Sequence, residues 1–205
     1  TDRGQLVVET DMTDIGTGTY TILAQTAAET MGLPLDAVRV ELGDSSYPVS
    51  AGSGGQWGAA SSTAGVYAAC VALRRMIGEK LGFDADAATF DGGRAMLGGE
   101  SWSIRDAGPL TAEDSMSFGD FQKDYDVGTY AGHFAEVQVD AYTGETHITR
   151  MLAVCDAGRI LNPLSARSQV IGGMVMAAGA ALTEDLHVDK RFGFFANHDL
   201  AGYEV

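Results

Sequence analysis

Apolar and polar residues recur in register along most of this chain, and the periods name the elements. Gln5-Leu6-Val7-Val8-Glu9-Thr10 reads as a short strand. After Asp14-Ile15-Gly16-Thr17-Gly18 a helix is expected from about Thr19. Ile22, Leu23, Ala27 and Met31 fall on one helical face, and Gly32-Leu33-Pro34 ends it. Val38-Arg39-Val40-Glu41-Leu42 alternates as a half-buried strand, and the segment from Gly43 to Gly55 is rich in turn residues. A second helix is predicted over about Ala59 to Leu81. Val66, Ala69, Cys70, Leu73, Met76 and Ile77 form its inward stripe, with Arg74, Arg75, Glu79 and Lys80 facing water. Residues 84 to 127 are less regular. Asp91-Gly92-Gly93-Arg94 predicts a hairpin turn, and Ser115 to Gln122 a helical turn.

From Gly128 the pattern sharpens. Ala135, Val137 and Val139 alternate with Glu136, Gln138 and Asp140, Tyr142-Thr143-Gly144-Glu145 turns the chain, and His147 to Val154 returns as the partner strand. A last helix is predicted over about Leu164 to Leu186, with Ile171, Met174, Val175, Ala178 and Leu182 inward. Gly172, Gly173 and the small residues from Ala177 to Ala181 permit close approach of backbone or ligand. The tail from Phe192 to Val205 gives no clean signal. The class is mixed α and β (α/β or α+β), in two subdomains, 1–125 and 126–205.

Composition narrows the function classes. Of 205 residues, 45% are hydrophobic and 20% charged, which is globular composition. No apolar run approaches the roughly 20 residues of a membrane span. The net charge of −15 repels phosphate backbones, so nucleic-acid binding is not expected, and anionic membrane surfaces are disfavoured for the same reason. Cys70 and Cys155 sit in apolar stretches without zinc or redox spacing, and both are expected as small buried side chains. Such cysteine usage slightly favours a reducing cytoplasm. The chain opens Thr-Asp-Arg in the run-up to a strand and reads as a piece of something longer. Its 27 glycines, nearly double the average share of about 7%, cluster before helices.

Three of those clusters are candidate chemistry. Gly16-Thr17-Gly18 opens a helix, where free N–H groups and the helix dipole favour an anion; taken alone, a plain glycine-rich turn is the favoured reading. No Gly-Lys-Ser/Thr follows, and Thr21 occupies the third glycine position of a dinucleotide fingerprint, so neither motif is present. Gly52-Ser53-Gly54-Gly55-Gln56-Trp57-Gly58 also precedes a helix and could be an anion or cofactor platform, or a flexible loop. Ser53 is rejected as a nucleophile, because a long loop rather than a sharp strand-to-helix elbow leads to it. Asp156 to Pro163 leaves a strand and enters a helix, with Asn162 as the cap and Pro163 in the first turn. Ser165, Ser168 and Gln169 add polar groups. The four histidines share no metal-ligand spacing; His187 with Asp189 and His198 with Asp199 read as surface pairs.

Taken together, these segments resemble the molybdenum-binding subunit of the xanthine dehydrogenase/aldehyde oxidase family. The resemblance rests on Asp14 to Thr21, Ala24-Gln25, Ala27-Ala28-Glu29, Val38 to Ser45, the Gly52 to Ser61 loop, Gly158 to Pro163, Gln169 and Gly172-Gly173. It is strongest toward the bacterial aldehyde-oxidising branch. It implies the cofactor-binding fold of the molybdenum hydroxylases, with a molybdopterin subdomain in each half of the chain. It also implies a molybdenum–molybdopterin cytosine dinucleotide contacted by Gly16, Thr17, Gly18, Gly55, Gln56, Arg159, Ile160, Leu161, Asn162, Pro163, Leu164, Ser165 and Gln169. The family hydroxylates aldehydes or N-heterocycles with oxygen from water. A glutamate serves as base, and electrons leave through iron–sulfur clusters and FAD on partner subunits.

Two segments depart from the family pattern: Thr17 stands where many members carry Gln, and Gly55-Gln56 where many carry Ala-Ser. The upstream Gly-Gly-Gly-Phe-Gly segment and the downstream Gly-x-Gly-Glu base have no counterpart among these residues. Accordingly no catalytic residue and no metal ligand is assigned, Glu184 and Glu204 are not promoted, and the isolated piece is expected to be inactive and to self-associate. The compartment implied is the cytoplasm, or the periplasm through a partner's export signal. The rival reading is a non-catalytic scaffold of the same fold that holds no cofactor.

Overall fold

In the computed structural model, which describes residues 5–205 apart from 56, 118, 120 and 127, the chain begins with strand β1, Leu6–Thr10. Leu6 and Val8 share one face, as the two-residue period demands, and both are buried. Helix α1, Thr19–Met31, leads to β2, Val38–Leu42, which pairs with β1 in parallel, Leu6 opposite Val38 and Thr10 opposite Leu42. Parallel neighbours need a long crossover, and α1 provides it. Its predicted face of Ile22, Leu23, Ala27 and Met31 is buried throughout. Gly32 ends the helix at φ +61, and a Cβ there would lie 2.3 Å from the Phe90 carbonyl carbon. Only glycine lets the helix end abut the next sheet.

A single π turn, Gly58–Ser62, runs into α2, Thr63–Leu81. Val66, Cys70 and Ile77 of α2 join Leu6, Val8, Leu23, Ala27, Met31 and Ala107 in one core. The predicted wet side holds for Arg75, whose Nε lies 3.0 Å from Asp86, but not for Arg74. The Arg74 guanidinium lies 4.1 Å over the Phe90 ring. It donates to the carbonyls of Ala88 at 3.0 Å and of Ala85 and Thr30 at 3.4 Å each. A long stem lets this cation reach carbonyls left over at the end of α1 and in the 85–88 turn, which water would otherwise have to satisfy.

Strands β3, Thr89–Asp91, and β4, Arg94–Leu97, form the predicted hairpin around Gly92-Gly93. A third strand, β5, Glu100–Ser103, extends it in antiparallel pairing with β4. The helical turn expected over Ser115 to Gln122 is displaced: α3 spans Phe121–Asp124, and Ser115 to Ser117 have no regular structure. Asp114 accepts the Ser115 N–H at 2.7 Å, one of the local side-chain bonds that compete with a helix. Phe118 and Asp120 lie outside the described residues.

The chain divides after Tyr125 into two compact units. In the second, β6, Tyr130–Val139, pairs antiparallel with β7, Thr146–Asp156, with a bulge between Glu136 and Val137. Asp140 Oδ1 accepts the N–H groups of Tyr142 and Thr143, both at 2.8 Å, and so shapes the predicted turn. Helix α4 is Pro163–Leu182, and the tail adds a short pair, β8, Val188–Asp189, with β9, Phe194–Phe195.

The inward stripe predicted on α4 is not buried. Ile171, Val175 and Leu182 are exposed, Met174 and Ala178 only half-buried. Beyond Gln169 the helix carries only apolar or small residues and so marks no single inner face, and a two-stranded sheet covers little of it. Cys155, expected in a core, is likewise exposed on β7, whereas Cys70 is buried. Mixed helix and strand, as expected, is the class observed.

Candidate functional site

Asp14 organises the first glycine-rich turn. Its Oδ1 accepts the Gly16 N–H at 2.7 Å and its Oδ2 the Tyr20 N–H at 3.3 Å. Gly16 and Gly18 adopt φ +97 and +83, which L side chains resist. Partial burial pushes the Asp14 carboxyl up, but the N–H groups of Gly16, Tyr20, Gly18 and Thr19 outweigh it and hold its pKa below the ordinary 3.8. The donors at the start of α1, expected free for an anion, are therefore engaged by the protein's own carboxylate. Thr17 Oγ1 lies 3.3 Å from the hydroxyl of the buried Thr19.

The second glycine-rich loop is bound alongside the first. Asp11 donates its N–H to the Pro48 carbonyl at 3.1 Å and accepts the Ser50 N–H on Oδ1 at 2.7 Å. Ser53 Oγ accepts the Thr13 N–H at 2.9 Å and donates to the Thr13 carbonyl. Ser53 is thus a strut between loops, with its hydroxyl hydrogen given to a carbonyl. Gly58 closes the corner: a Cβ there would lie 2.8 Å from Met12 Cε and 3.0 Å from Thr19 Oγ1. Ser62 donates to Met12 Sδ at 2.8 Å. The π turn at Gly58–Ser62 is a rare winding that recurs at functional sites. Gly55 takes φ +49 just before it, and Trp57 stands half in solvent. Gln56 lies outside the described residues.

The segments bearing Gly16, Thr17, Gly18 and Gly55 therefore meet in the first unit. At Gly16, Gly52 and Gly54 a Cβ would meet nothing within 4 Å. Bare backbone at these points fits the close approach of a flat ligand.

The third segment belongs to the second unit. Gly158, at φ +70, gives its N–H to Asp156 Oδ1 at 3.1 Å. Arg159 and Ile160 are exposed and Leu161 half-buried. Asn162 caps α4 as predicted, its Oδ1 accepting the N–H groups of Leu164 and Ser165 at 3.1 Å each, with Pro163 in the first turn. Leu164 is exposed, Ser165 donates its hydroxyl to the Asn162 carbonyl at 3.2 Å, and Gln169 lies on the exposed side of the helix.

The histidine pairs differ from expectation. His187 pairs with Asp185 at 3.0 Å, because Asp189 is taken by Arg191 at 2.7 Å. His198 Nδ1 lies 2.8 Å from the Phe195 carbonyl, not on Asp199. Among the described residues no group of three or more His, Cys, Asp or Glu could hold a metal ion. A groove of about 610 Å³ runs along β1 between Ser50, α2 and the 110–116 segment, and none of the predicted site residues lines it.

A family model described as molybdopterin cofactor-binding domain matches residues 1–205. The chain belongs to this family. Within it, the chain is 62% identical over 206 aligned residues to the aldehyde oxidoreductase molybdenum-binding subunit PaoC of Escherichia coli strain K12, covering 99% of this chain and 28% of that protein. It is 30% identical to the putative xanthine dehydrogenase molybdenum-binding subunit XdhA of the same strain, over 98% of this chain and 29% of that one. Among solved structures, quinoline 2-oxidoreductase from Pseudomonas putida 86 superposes with a TM-score of 0.83 at 25% identity, over 99% of this chain and 28% of that one. The resemblance read from the glycine loops is borne out. This molybdopterin cofactor-binding domain spans somewhat over a quarter of the length of these relatives. Among its described residues no helix is long and apolar enough to cross a membrane.

Sequence reasoning missed Asp14, Asp11 and Ser53 as the residues that fix the two loops. One signal was present: Asp two residues before Gly is the signature of an Asx turn, which predicts the Asp14-to-Gly16 bond. The partners of Asp11 and Ser53 lie some 40 residues away and leave no local trace.

Proposed function

We propose that the longer protein carrying this domain is a molybdenum hydroxylase that oxidises aldehydes, or N-heterocycles, with water as the oxygen source. The observation that carries this is the 62% identity to an aldehyde oxidoreductase molybdenum-binding subunit over 99% of the chain. The cofactor proposed is the molybdopterin cytosine dinucleotide form, contacted by Gly16, Thr17, Gly18, Gly55 and Gln56 of the first unit. Arg159, Ile160, Leu161, Asn162, Pro163, Leu164, Ser165 and Gln169 are proposed to contact it from the second. When bound, the molybdenum group supplies the two-electron oxidation. The chain's own residues position and exclude. Bare glycine backbone admits the ligand at close range, and the Asp14 and Ser53 bonds keep the two loops from collapsing into that space. No catalytic base or metal ligand is proposed from these residues. An iron–sulfur subunit and an FAD subunit are the proposed partners. The cytoplasm is the proposed compartment, or the periplasm where a partner carries the export signal.

The test is molybdenum analysis with fluorescence of released oxidised pterin, on the full-length chain coexpressed with its genomic neighbours. Stoichiometric molybdenum with a cytosine dinucleotide is expected. A well-folded complex with neither would sink the reading and leave the non-catalytic scaffold standing.

A further inference from the structure

The groove beside β1 follows the strand's free edge. Leu6 to Thr10 all line it, residues of both strand faces in succession, while none of Val38–Leu42 does. A space touched by both faces of a strand runs along its edge, and β2 holds the opposite edge. A strand paired on one side presents a row of N–H and C=O groups on the other. Among the described residues, the backbone bonds of Leu6–Thr10 beyond the β2 ladder reach only Gly43, whose N–H goes to the Thr10 carbonyl at 3.3 Å. The facing wall, Leu110 to Met116, has no regular structure. The floor is apolar, with Val66, Ala69, Cys70 and Leu73 of α2. The charged lining is of one sign: Glu9, Glu113 and Asp114, with no Lys, Arg or His among the described lining residues.

A free strand edge above an apolar floor takes an extended peptide, its main chain on the edge and alternate side chains on the floor. The acidic rim calls for Lys or Arg in that peptide, and a second copy of a chain at −15 matches it poorly. The aligned region is 28% of PaoC, so most of such a subunit's chain lies outside these residues and can supply the strand. We infer that the groove docks an extended, basic and apolar segment of the same longer polypeptide, from outside these 205 residues, which adds a strand to the free edge of β1. This rests on the reading of the chain as part of a longer molybdenum-binding subunit. It assigns the groove to assembly of that subunit and not to substrate or cofactor.

The experiment places the photo-crosslinking residue p-benzoylphenylalanine at Val49, or separately at Glu113, in the full-length chain coexpressed with its genomic neighbours. Both positions line the groove and are exposed, so the fold should tolerate the change. Irradiation and peptide mapping are expected to join each position to a peptide of the same polypeptide outside residues 1–205, apolar at alternate positions and carrying Lys or Arg. Mixing isotope-labelled with unlabelled protein separates joins within one polypeptide from joins between copies. In the unsubstituted protein, every amide from Leu6 to Thr10 is expected to exchange at least about a hundredfold more slowly than in an unstructured peptide. Cross-links confined to residues 1–205, cross-links to a second copy or another subunit, a captured peptide without Lys or Arg, or no cross-link at all overturn the inference. Fast exchange at every second amide of β1 overturns it too. Molybdenum and pterin are measured on the same preparation. Their absence would count against the proposed function while leaving the cross-link result intact.

Discussion

A methyl group at position 32 has nowhere to go. The Phe90 carbonyl carbon would sit 2.3 Å from it, and the backbone is already at φ +61. Gly32→Ala is expected to cost about 3 kcal/mol or more, as steric overlap adds to left-handed strain. Gly16→Ala, at φ +97 with open space around it, should cost only the strain, about 1–2 kcal/mol. Denaturant unfolding of the two variants checks the contrast, and equal losses would refute it. Asp14 gives a pH signature whose sign follows from its lowered pKa. Its contribution is complete above the unfolded carboxylate value and is lost as pH falls through the folded one. The stability gap between wild type and Asp14→Asn should therefore be steady near neutrality and narrow below the ordinary value of 3.8. A third residue-scale outcome concerns Cys70, whose thiol burial pushes up to about 12. It should resist alkylation at pH 8 until the protein is unfolded, and rapid native labelling would show the core to be open.

At the scale of elements, the strand–helix–strand unit was legible because period and punctuation agree. Leu6 and Val8 alternate, Ile22 to Met31 keep helical spacing, and Gly32 and Pro34 mark the stop. β5 and the β8–β9 pair were not legible, since four residues or fewer cannot display a period. On α4 the start was readable from Asn162-Pro163, while its inner face was not, because no polar side marks an outer one. Arg74 was misplaced for a different reason: charge predicts water, but stem length permits a half-buried destination among carbonyls. Arg74 ties α1, α2 and the 85–88 turn together. Arg74→Met, which keeps the stem and removes the head, is expected to lower stability by about 2 kcal/mol. Arg75→Met should change it by less than about 1 kcal/mol, as for an exposed pair. Thermal unfolding of both variants separates clamp from ornament. Of the candidate site, the glycine loops were visible in sequence, whereas the occupancy of their donors is a property of the folded corner.

For the molecule as a whole, charge and apolar exposure oppose each other. The net charge of −15 favours separation of copies. Yet on β6 and β7, Phe134 lies opposite Leu152 with Val154 further along the same face, and all three are exposed. Val175 and Met176 of α4 are exposed as well. Exposed apolar side chains of this kind drive association, and more so once salt screens the charge. Sedimentation of the 205-residue chain should show concentration-dependent association that strengthens with salt and weakens in Phe134→Ser/Leu152→Thr. A monomer at all concentrations would mean that the charge prevails.

The parallel pairing of β1 with β2 also sets an order of events during synthesis. A hairpin can close as soon as its second strand is made, but the β1–β2 pairing cannot form until Val38–Leu42 has emerged, on the order of seconds after Leu6 at ordinary translation rates. For that interval Leu6 and Val8 lack the cover that β2 and the helices give them in the folded unit. The first unit is therefore most open to chaperones and proteases before α1 has carried the polypeptide back.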